Sequence, residues 1–186
     1  MKKDEIILLR EYLPKNITDF LCTHILNCYN RSKLGYEDGY IRKDSSSAYS
    51  MYGNLIFEDL LSILTKNVSE MLKLELIPTY SFFSLYEKGN KLKKHTDREA
   101  CEISMSLCLG YEPNDNKWPI HLDDKSIDLM PGDAVIYRGI DLTHWREPFG
   151  GNYQAQAFFH WNDKNGPYGD KYKFDGRKYL GEKVNE

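Results

Sequence analysis

Apolar and polar residues recur with two different periods along the chain, and the period changes near residue 78. Before that point, apolar residues return every three to four positions in two stretches, which predicts helices over residues 16–30 and 54–74. Asn16 is expected to cap the first of them. An apolar run over residues 5–13 predicts a strand before both helices.

After residue 78 the period becomes two, which is typical of β-strands. In segment 102–109, apolar and small residues occupy opposite faces: Ile103, Met105, Leu107 and Leu109 against Ser104, Ser106 and Cys108. Strands are predicted over residues 79–86, 91–97, 102–109, 118–123, 126–130, 134–138, 143–148 and 153–161. We therefore expect a mainly β protein with flanking helices (α+β), in which a jelly roll fits the strand count.

Charge and composition give no sign of a nucleic-acid or membrane partner, although a local basic patch stays possible. The 186 residues carry 25 basic and 28 acidic side chains, a net charge of −3, so no basic surplus points to nucleic acid. No apolar run approaches the length of a membrane span, and no signal peptide is recognised. The four cysteines show no metal-binding spacing and are expected to be buried, reduced thiols, which favours a cytoplasmic location.

The candidate chemistry starts at a histidine and an aspartate that lie two residues apart on a predicted strand. Side chains at alternate strand positions share a face, so His95 and Asp97 can offer a nitrogen and an oxygen to one point. His144 can supply a third ligand if the fold brings it back. Two His and one carboxylate leave the other metal positions open, as in non-haem Fe(II) oxygenases. The remaining histidines are reserve candidates: His24, His121 and His160.

Five short motifs follow one another in this part of the chain: Leu85-Tyr86-Glu87-Lys88-Gly89, His95-Thr96-Asp97, Ser106-Leu107-Cys108-Leu109, Pro131-Gly132-Asp133-Ala134-Val135 and His144. Together, over residues 79–161, they resemble the 2-oxoglutarate/Fe(II)-dependent dioxygenases, and within them the prolyl-4-hydroxylase-like branch. The resemblance implies a double-stranded β-helix, a cupin-like jelly roll, with Fe(II) held at its mouth. It also implies 2-oxoglutarate and O2 as cosubstrates, with ascorbate as an optional addition.

The activity implied by the resemblance is a hydroxylation. Oxidative decarboxylation of 2-oxoglutarate to succinate and CO2 is coupled to oxidation of a substrate C–H bond. The substrate is left open between a prolyl residue of a peptide, a free amino acid and a small metabolite. Two other functions use the same three ligands: a non-catalytic jelly-roll module that binds a metal or ligand, and a Zn(II) hydrolase.

One position departs from the branch that the chain resembles. That branch carries Lys or Arg nine to eleven residues after the distal histidine, where it pairs with the far carboxylate of 2-oxoglutarate. Here those positions are Tyr153, Gln154 and Ala155, and none is cationic. A dicarboxylate buried without a cation is costly, so another residue is expected to replace it.

Arg146 is the first candidate for that replacement. It lies two residues after His144, on the same strand face, and a guanidinium binds a carboxylate with two parallel hydrogen bonds. The alternative is an outward ion pair with Glu147 or Asp141. Arg138 is the second choice. Gln154 is expected to add a neutral hydrogen-bond donor, and Tyr86 either lines the cosubstrate pocket or is an ordinary core residue.

The whole chain is expected to form one domain. Residues 1–78 supply the first strand and the helices, 79–161 the β-helix core, and 162–186 a C-terminal extension. Residues 31–54 are either a surface loop or a flap over the site. Arg98 either faces the mouth of the site, where it attracts an anionic substrate, or pairs with Glu99.

Overall fold

The computed structural model describes residues 1–36, 42–43, 47–113 and 117–182. Within them the chain is mainly antiparallel β-structure with two long helices and two short 3-10 helices. In chain order the elements are β1 (Ile6–Leu9), α1 (Lys15–Lys33), β2 (Arg42–Lys43), β3 (Tyr49–Tyr52), α2 (Leu55–Leu72), β4 (Leu76–Glu87), β5 (Leu92–His95), β6 (Ile103–Glu112), β7 (Ile120–Leu122), β8 (Lys125–Ile127), β9 (Ala134–Tyr137), β10 (His144–Arg146) and β11 (Tyr153–Asp163).

All eight strands predicted after residue 78 are present as β4 to β11, and both helices lie where the periodicity placed them. The predicted cap of α1 is wrong. The helix begins at Lys15, one residue before Asn16, and its cap position is Pro14, which makes no side-chain cap bond. At α2 the side chain of Asn54 does accept the backbone N–H of Ile56, at 3.1 Å. The flap predicted over residues 31–54 lies partly outside the described residues.

The strands form two sheets, between which the chain alternates. The large sheet has the order β1-β9-β6-β11-β4-β3-β2, and the small sheet the order β5-β10-β7-β8. From β4 onward the chain passes from the large to the small sheet and back, except that β7 and β8 are consecutive in the small one. Every strand pair in the described part of the chain is antiparallel.

The two faces of the large sheet have opposite characters. One face packs on α1 and α2 and forms the main core, where Met105, Leu107 and Phe159 meet Phe57 and Ile25. Burying such side chains contributes about 1.5–3 kcal/mol each, which fixes the helices against this face. The other face lies towards the small sheet and carries buried polar side chains: Ser104, Ser106, Gln154, Gln156 and His160. The alternation predicted for segment 102–109 is therefore confirmed.

Other expectations from the sequence also meet the structure here. All four cysteines are buried and free of disulfide bonds. No helix in the described ranges is long and apolar enough to cross a membrane.

A buried aspartate holds the turn between β8 and β9. Pro131 and Gly132 form the turn as predicted, and Gly132 has a φ of 95°, which disfavours any residue with a Cβ. The carboxylate of Asp133 accepts the backbone N–H groups of Met130 at 3.0 Å and Glu11 at 2.9 Å. The turn is thereby joined to the segment that follows β1.

Asp133→Ala is expected to lower the free energy of unfolding by about 2–4 kcal/mol, because two backbone N–H groups lose a buried, charged acceptor. The guanidinium of Arg10 would also lose its carboxylate partner, which lies 2.5 Å away, and would keep its bond to the carbonyl oxygen of Asp128. Urea unfolding measures the effect. Asp124→Ala is the control, since Asp124 is exposed and should change stability by less than about 0.5 kcal/mol.

The effect of Asp133 should depend on pH. Burial alone raises the pKa of Asp133, but the hydrogen bonds from Glu11 and Met130 outweigh it and leave the pKa below its usual value. The stabilisation is therefore complete above the unfolded pKa of about 3.9 and is lost as the pH falls through the folded pKa. A difference between wild type and Asp133→Ala that grows towards acid would contradict this account.

Candidate metal centre

Three side chains converge at the end of the small sheet. Strands β5 and β10 are paired so that His144 lies opposite His95. The Oδ1 atom of Asp97 lies 3.5 Å from Nε2 of His95 and 3.4 Å from Nε2 of His144. One ligand atom from each residue falls within 4.8 Å of the others. The three residues that the sequence singled out are therefore brought together.

Backbone carbonyls fix both imidazole rings. Nδ1 of His95 lies 2.7 Å from the carbonyl oxygen of Lys93, and Nδ1 of His144 lies 2.9 Å from that of Leu142. A carbonyl can only accept, so each Nδ1 carries the proton in the neutral ring. Nε2 of each ring faces Oδ1 of Asp97. It donates to that oxygen when the ring carries a second proton, and in the neutral ring it offers a lone pair to a metal.

Asp97 is held ionised. Burial alone raises the pKa of its carboxyl group, but hydrogen bonds with His144 and His95 outweigh burial and hold the pKa well below its usual range. The bond with Asp97 in turn raises the pKa of His95. No Lys or Arg in the described ranges forms an ion pair with Asp97, and its Oδ1 atom faces the two imidazoles. A bound cation would neutralise the charge of Asp97.

The donor set fits a first-row divalent metal. Two imidazole nitrogens and one carboxylate oxygen suit Fe(II), and they also serve Zn(II). His95 is the open side of the cluster, with 39% of its side chain exposed, whereas His144 is buried at 4%. The cluster is thus reached from the His95 side.

The three reserve histidines have different surroundings. His24, on α1, packs against Phe57 of α2. His121 stacks on Trp145 with ring centroids 4.9 Å apart. His160, by contrast, lies beside the cluster, with Nδ1 3.0 Å from the hydroxyl of Ser104. Burial lowers the pKa of His160 to about 4, so the ring is neutral.

His160 is only a reserve candidate from the sequence, because neither residue two positions away, Phe158 or Asn162, is a carboxylate. The signal that could have found it is the row of polar positions on β11. In the structure, His160 pairs with Ser104 across the large sheet, and the Ser104 hydroxyl lies 2.8 Å from Oδ2 of Asp97. The contact depends on the register of two strands far apart in the sequence.

Arg146 points into the protein, so the predicted alternative of an outward ion pair is wrong. Its side chain is 1% exposed, and its guanidinium stacks 4.8 Å from the ring of Trp118. One terminal nitrogen, Nη1, donates to the carbonyl oxygen of Trp118, while the other, Nη2, is buried with no hydrogen-bond partner. Within the described ranges, no carboxylate forms an ion pair with it.

Two further candidates lie on the same inner face. Gln154 of β11 is paired with Tyr86 of β4, and the Oε1 atom of Gln154 is buried without a partner. Tyr86 is 2% exposed, and its ring meets that of Trp118 edge-on with centroids 4.9 Å apart. Trp118 therefore contacts both Tyr86 and the guanidinium of Arg146.

Arg138, the second choice for a carboxylate anchor, is already engaged. Its Nε atom donates to Asp141 at 2.6 Å, and its Nη1 atom donates to Glu102 at 3.1 Å. Two carboxylates thus satisfy this guanidinium, in contrast to that of Arg146.

A cavity of about 530 Å³ adjoins Asp97 on the side of the C-terminal segment. Tyr168 and Tyr172 form the wall contributed by that segment, and Ile140 forms part of another. Arg98 also lines this cavity, which agrees with the prediction that it faces the mouth of the site. The predicted pair with Glu99 is wrong, because the guanidinium makes two hydrogen bonds, of 2.8 and 2.7 Å, with Asp175 instead. The C-terminal segment had no periodicity from which this partner could be predicted.

No protein-family model and no curated protein matches the sequence. Solved structures do match the fold. A Pseudomonas putida prolyl-4-hydroxylase has a TM-score of 0.62 and 17% identity, over 84% of this chain and 92% of that one. The viral collagen prolyl hydroxylase of Paramecium bursaria Chlorella virus-1 has a TM-score of 0.62 and 11% identity, over 84% and 94%.

A third similar structure is SnoN, a non-haem α-ketoglutarate-dependent epimerase from nogalamycin biosynthesis. Its TM-score is 0.66 at 10% identity, over 87% of this chain and 79% of that one. At these identities the likeness concerns the fold. The chain therefore has the fold of the 2-oxoglutarate/Fe(II)-dependent oxygenases, and its resemblance to their prolyl-4-hydroxylase-like branch extends from the sequence motifs to the architecture.

Proposed function

We propose that the protein is an Fe(II)/2-oxoglutarate-dependent oxygenase that hydroxylates a C–H bond. The observation that carries this proposal is the convergence of His95, Asp97 and His144 within 4.8 Å in a fold shared with such oxygenases. The alternation of the chain between two antiparallel sheets supports a double-stranded β-helix. We take the 186 residues as one domain, with the core, the N-terminal helices and the C-terminal extension as predicted.

In this proposal His95, Asp97 and His144 hold the iron. When bound, iron and 2-oxoglutarate supply the activation of O2 and the oxidation of the substrate. The chain supplies the rest: carbonyl-oriented imidazoles, an ionised carboxylate, and a site enclosed between two sheets. These features favour a metal-binding site over a cluster of core residues that only bond one another.

Arg146 is proposed to bind the far carboxylate of 2-oxoglutarate. A buried guanidinium without a counter-ion is costly, and an entering carboxylate would satisfy the unpaired Nη2 atom. Gln154 lies ten residues after His144, where the related branch places its cation. The side-chain N–H of its amide is proposed to donate a hydrogen bond to the same carboxylate. Tyr86, its neighbour on β4, is proposed to line the same pocket.

The cavity beside Asp97 is the proposed substrate site. Its volume of about 530 Å³ lies within the range of small-molecule sites, roughly 300–1,000 Å³. A small metabolite, a free amino acid or a single prolyl side chain of a peptide would fit this size. The similar structures include both prolyl hydroxylases and an epimerase, so the fold does not choose among these substrates. The cytoplasmic location and the optional use of ascorbate stay predictions.

With Fe(II), 2-oxoglutarate and O2, the purified protein is expected to release succinate, and candidate substrates should gain one oxygen atom by mass spectrometry. His95→Ala and Asp97→Ala should abolish succinate formation, because each removes a ligand. His121→Ala is the matched control, as His121 stacks on Trp145 away from the cluster. Hydrolysis with Zn(II) and no succinate would favour a hydrolase, and metal binding without any turnover would favour a binding module.

Arg146→Ala is expected to weaken 2-oxoglutarate binding about 100-fold, since loss of a charge-assisted hydrogen bond costs roughly 3 kcal/mol. Calorimetric titration with 2-oxoglutarate in the presence of Mn(II) measures this affinity. Arg138→Ala is the control, because it also removes a guanidinium, but one that Glu102 and Asp141 already bind. The affinity for 2-oxoglutarate should stay at the wild-type value. The reverse pattern would assign the anchor to Arg138.

A further inference from the structure

We propose that Ser104, supported by His160 and Gly139, forms a cradle that makes Asp97 present a single oxygen, Oδ1, to the metal. Ser104 acts in this proposal as a positioning residue, and the proposal rests on the metal site put forward above. The cradle would set the affinity for the metal without supplying a ligand to it.

Asp97 needs such support because strand pairing does not provide it. Strand β5 ends at His95, so Asp97 lies in the segment between β5 and the following 3-10 helix. Its backbone N–H donates to the carbonyl oxygen of Gly139 at 2.8 Å. This bond fixes the main chain of Asp97, but the direction of the carboxylate must be set by other groups.

Ser104 supplies that direction. Its hydroxyl oxygen lies 2.8 Å from Oδ2 of Asp97, and the residue is 1% exposed on the inner face of β6. An ionised carboxylate can only accept, so the hydroxyl donates. With Oδ2 occupied, Oδ1 is the oxygen that faces the nitrogens of His95 and His144. A one-oxygen carboxylate leaves more positions open for other ligands.

His160 orients the Ser104 hydroxyl towards Asp97. The hydroxyl also lies 3.3 Å from the carbonyl oxygen of Cys101, which competes for its one hydrogen. Nδ1 of His160 lies 3.0 Å from the hydroxyl oxygen, and with the hydroxyl hydrogen given to Asp97 this contact is a donation from Nδ1–H. The rings of Tyr80 and Phe82, with centroids 4.6 and 5.7 Å away, hold the imidazole in place.

Gly139 contributes the space. A Cβ atom at this position would lie 2.1 Å from Oδ2 of Asp97 and 2.5 Å from the hydroxyl oxygen of Ser104. Both distances are too short for a carbon atom, so only glycine fits at position 139 while the carboxylate of Asp97 and the hydroxyl of Ser104 keep their places. The glycine thus bears on the same two atoms that the Ser104 bond joins, and this is an independent sign of a built cradle.

The test measures Mn(II) affinity of the apoprotein, from the free-Mn(II) signal in electron paramagnetic resonance, so it needs neither substrate nor turnover. Ser104→Ala is expected to bind Mn(II) about 10–100-fold more weakly, the usual loss when a group behind a metal ligand is removed. Ser106→Ala is the matched control. Ser106 lies two residues along the same inner face, is 0% exposed and bonds Gln156 instead of Asp97.

A second readout separates positioning from general loosening of the fold. The visible absorption of bound Co(II) should change in Ser104→Ala, because a released Oδ2 can also reach the metal, and should match wild type in Ser106→Ala. His160→Phe keeps the stacked ring, removes Nδ1 and should shift affinity in the same direction as Ser104→Ala. Gly139→Ala should weaken binding at least as much as Ser104→Ala.

The outcomes are distinguishable. Equal Mn(II) affinity and equal Co(II) spectra in wild type, Ser104→Ala and Gly139→Ala would overturn the cradle and leave the metal site standing. Loss of affinity in Ser106→Ala to the same extent as in Ser104→Ala would also overturn it. A wild-type protein that binds no divalent metal would instead refute the proposed function itself.

Discussion

The carboxylate of Asp97 is a largely buried negative charge, and the arrangement of the site follows from it. Oδ1 faces two imidazoles and Oδ2 accepts the Ser104 hydroxyl, so hydrogen bonds keep the group ionised despite burial. In the described part of the chain no basic side chain other than histidine offsets that charge. A buried charge of this kind is stable when a cation joins it. The Nε2 atoms of His95 and His144 face the place where that cation would lie and would release their protons when it binds.

A second uncompensated charge of opposite sign lies between the same two sheets. Arg146 is almost completely buried, and its Nη2 atom lacks a partner. A chelating dicarboxylate that reaches from the metal to this guanidinium would satisfy both groups with one molecule. The fold makes the arrangement possible, because the helices take up the apolar face of the large sheet and the polar face is left to line the site.

Much of this was available from the sequence, because it depended on local periodicity. The alternation in segment 102–109 predicted both faces of β6, and the spacing of His144 and Arg146 predicted that both lie on the buried face of one strand, β10. His95 and Asp97 also converge as expected, but the strand predicted to carry both ends at His95, and Asp97 lies in the segment after it. Contacts that depend on strand register or on the C-terminal segment could not be predicted from the sequence. His160 reaches Ser104 across 56 residues, and Arg98 reaches Asp175 across 77. No pattern within either segment specifies such a partner.

The proposed function requires one site to hold Fe(II) and 2-oxoglutarate together. Its most direct test is the visible absorption spectrum of the protein under anaerobic conditions, with Fe(II) and 2-oxoglutarate added separately and then together. If both bind at one site, a charge-transfer band should appear only when both are added and should be absent in Asp97→Ala. A wild-type spectrum with no such band at saturating concentrations of both would rule out a shared site.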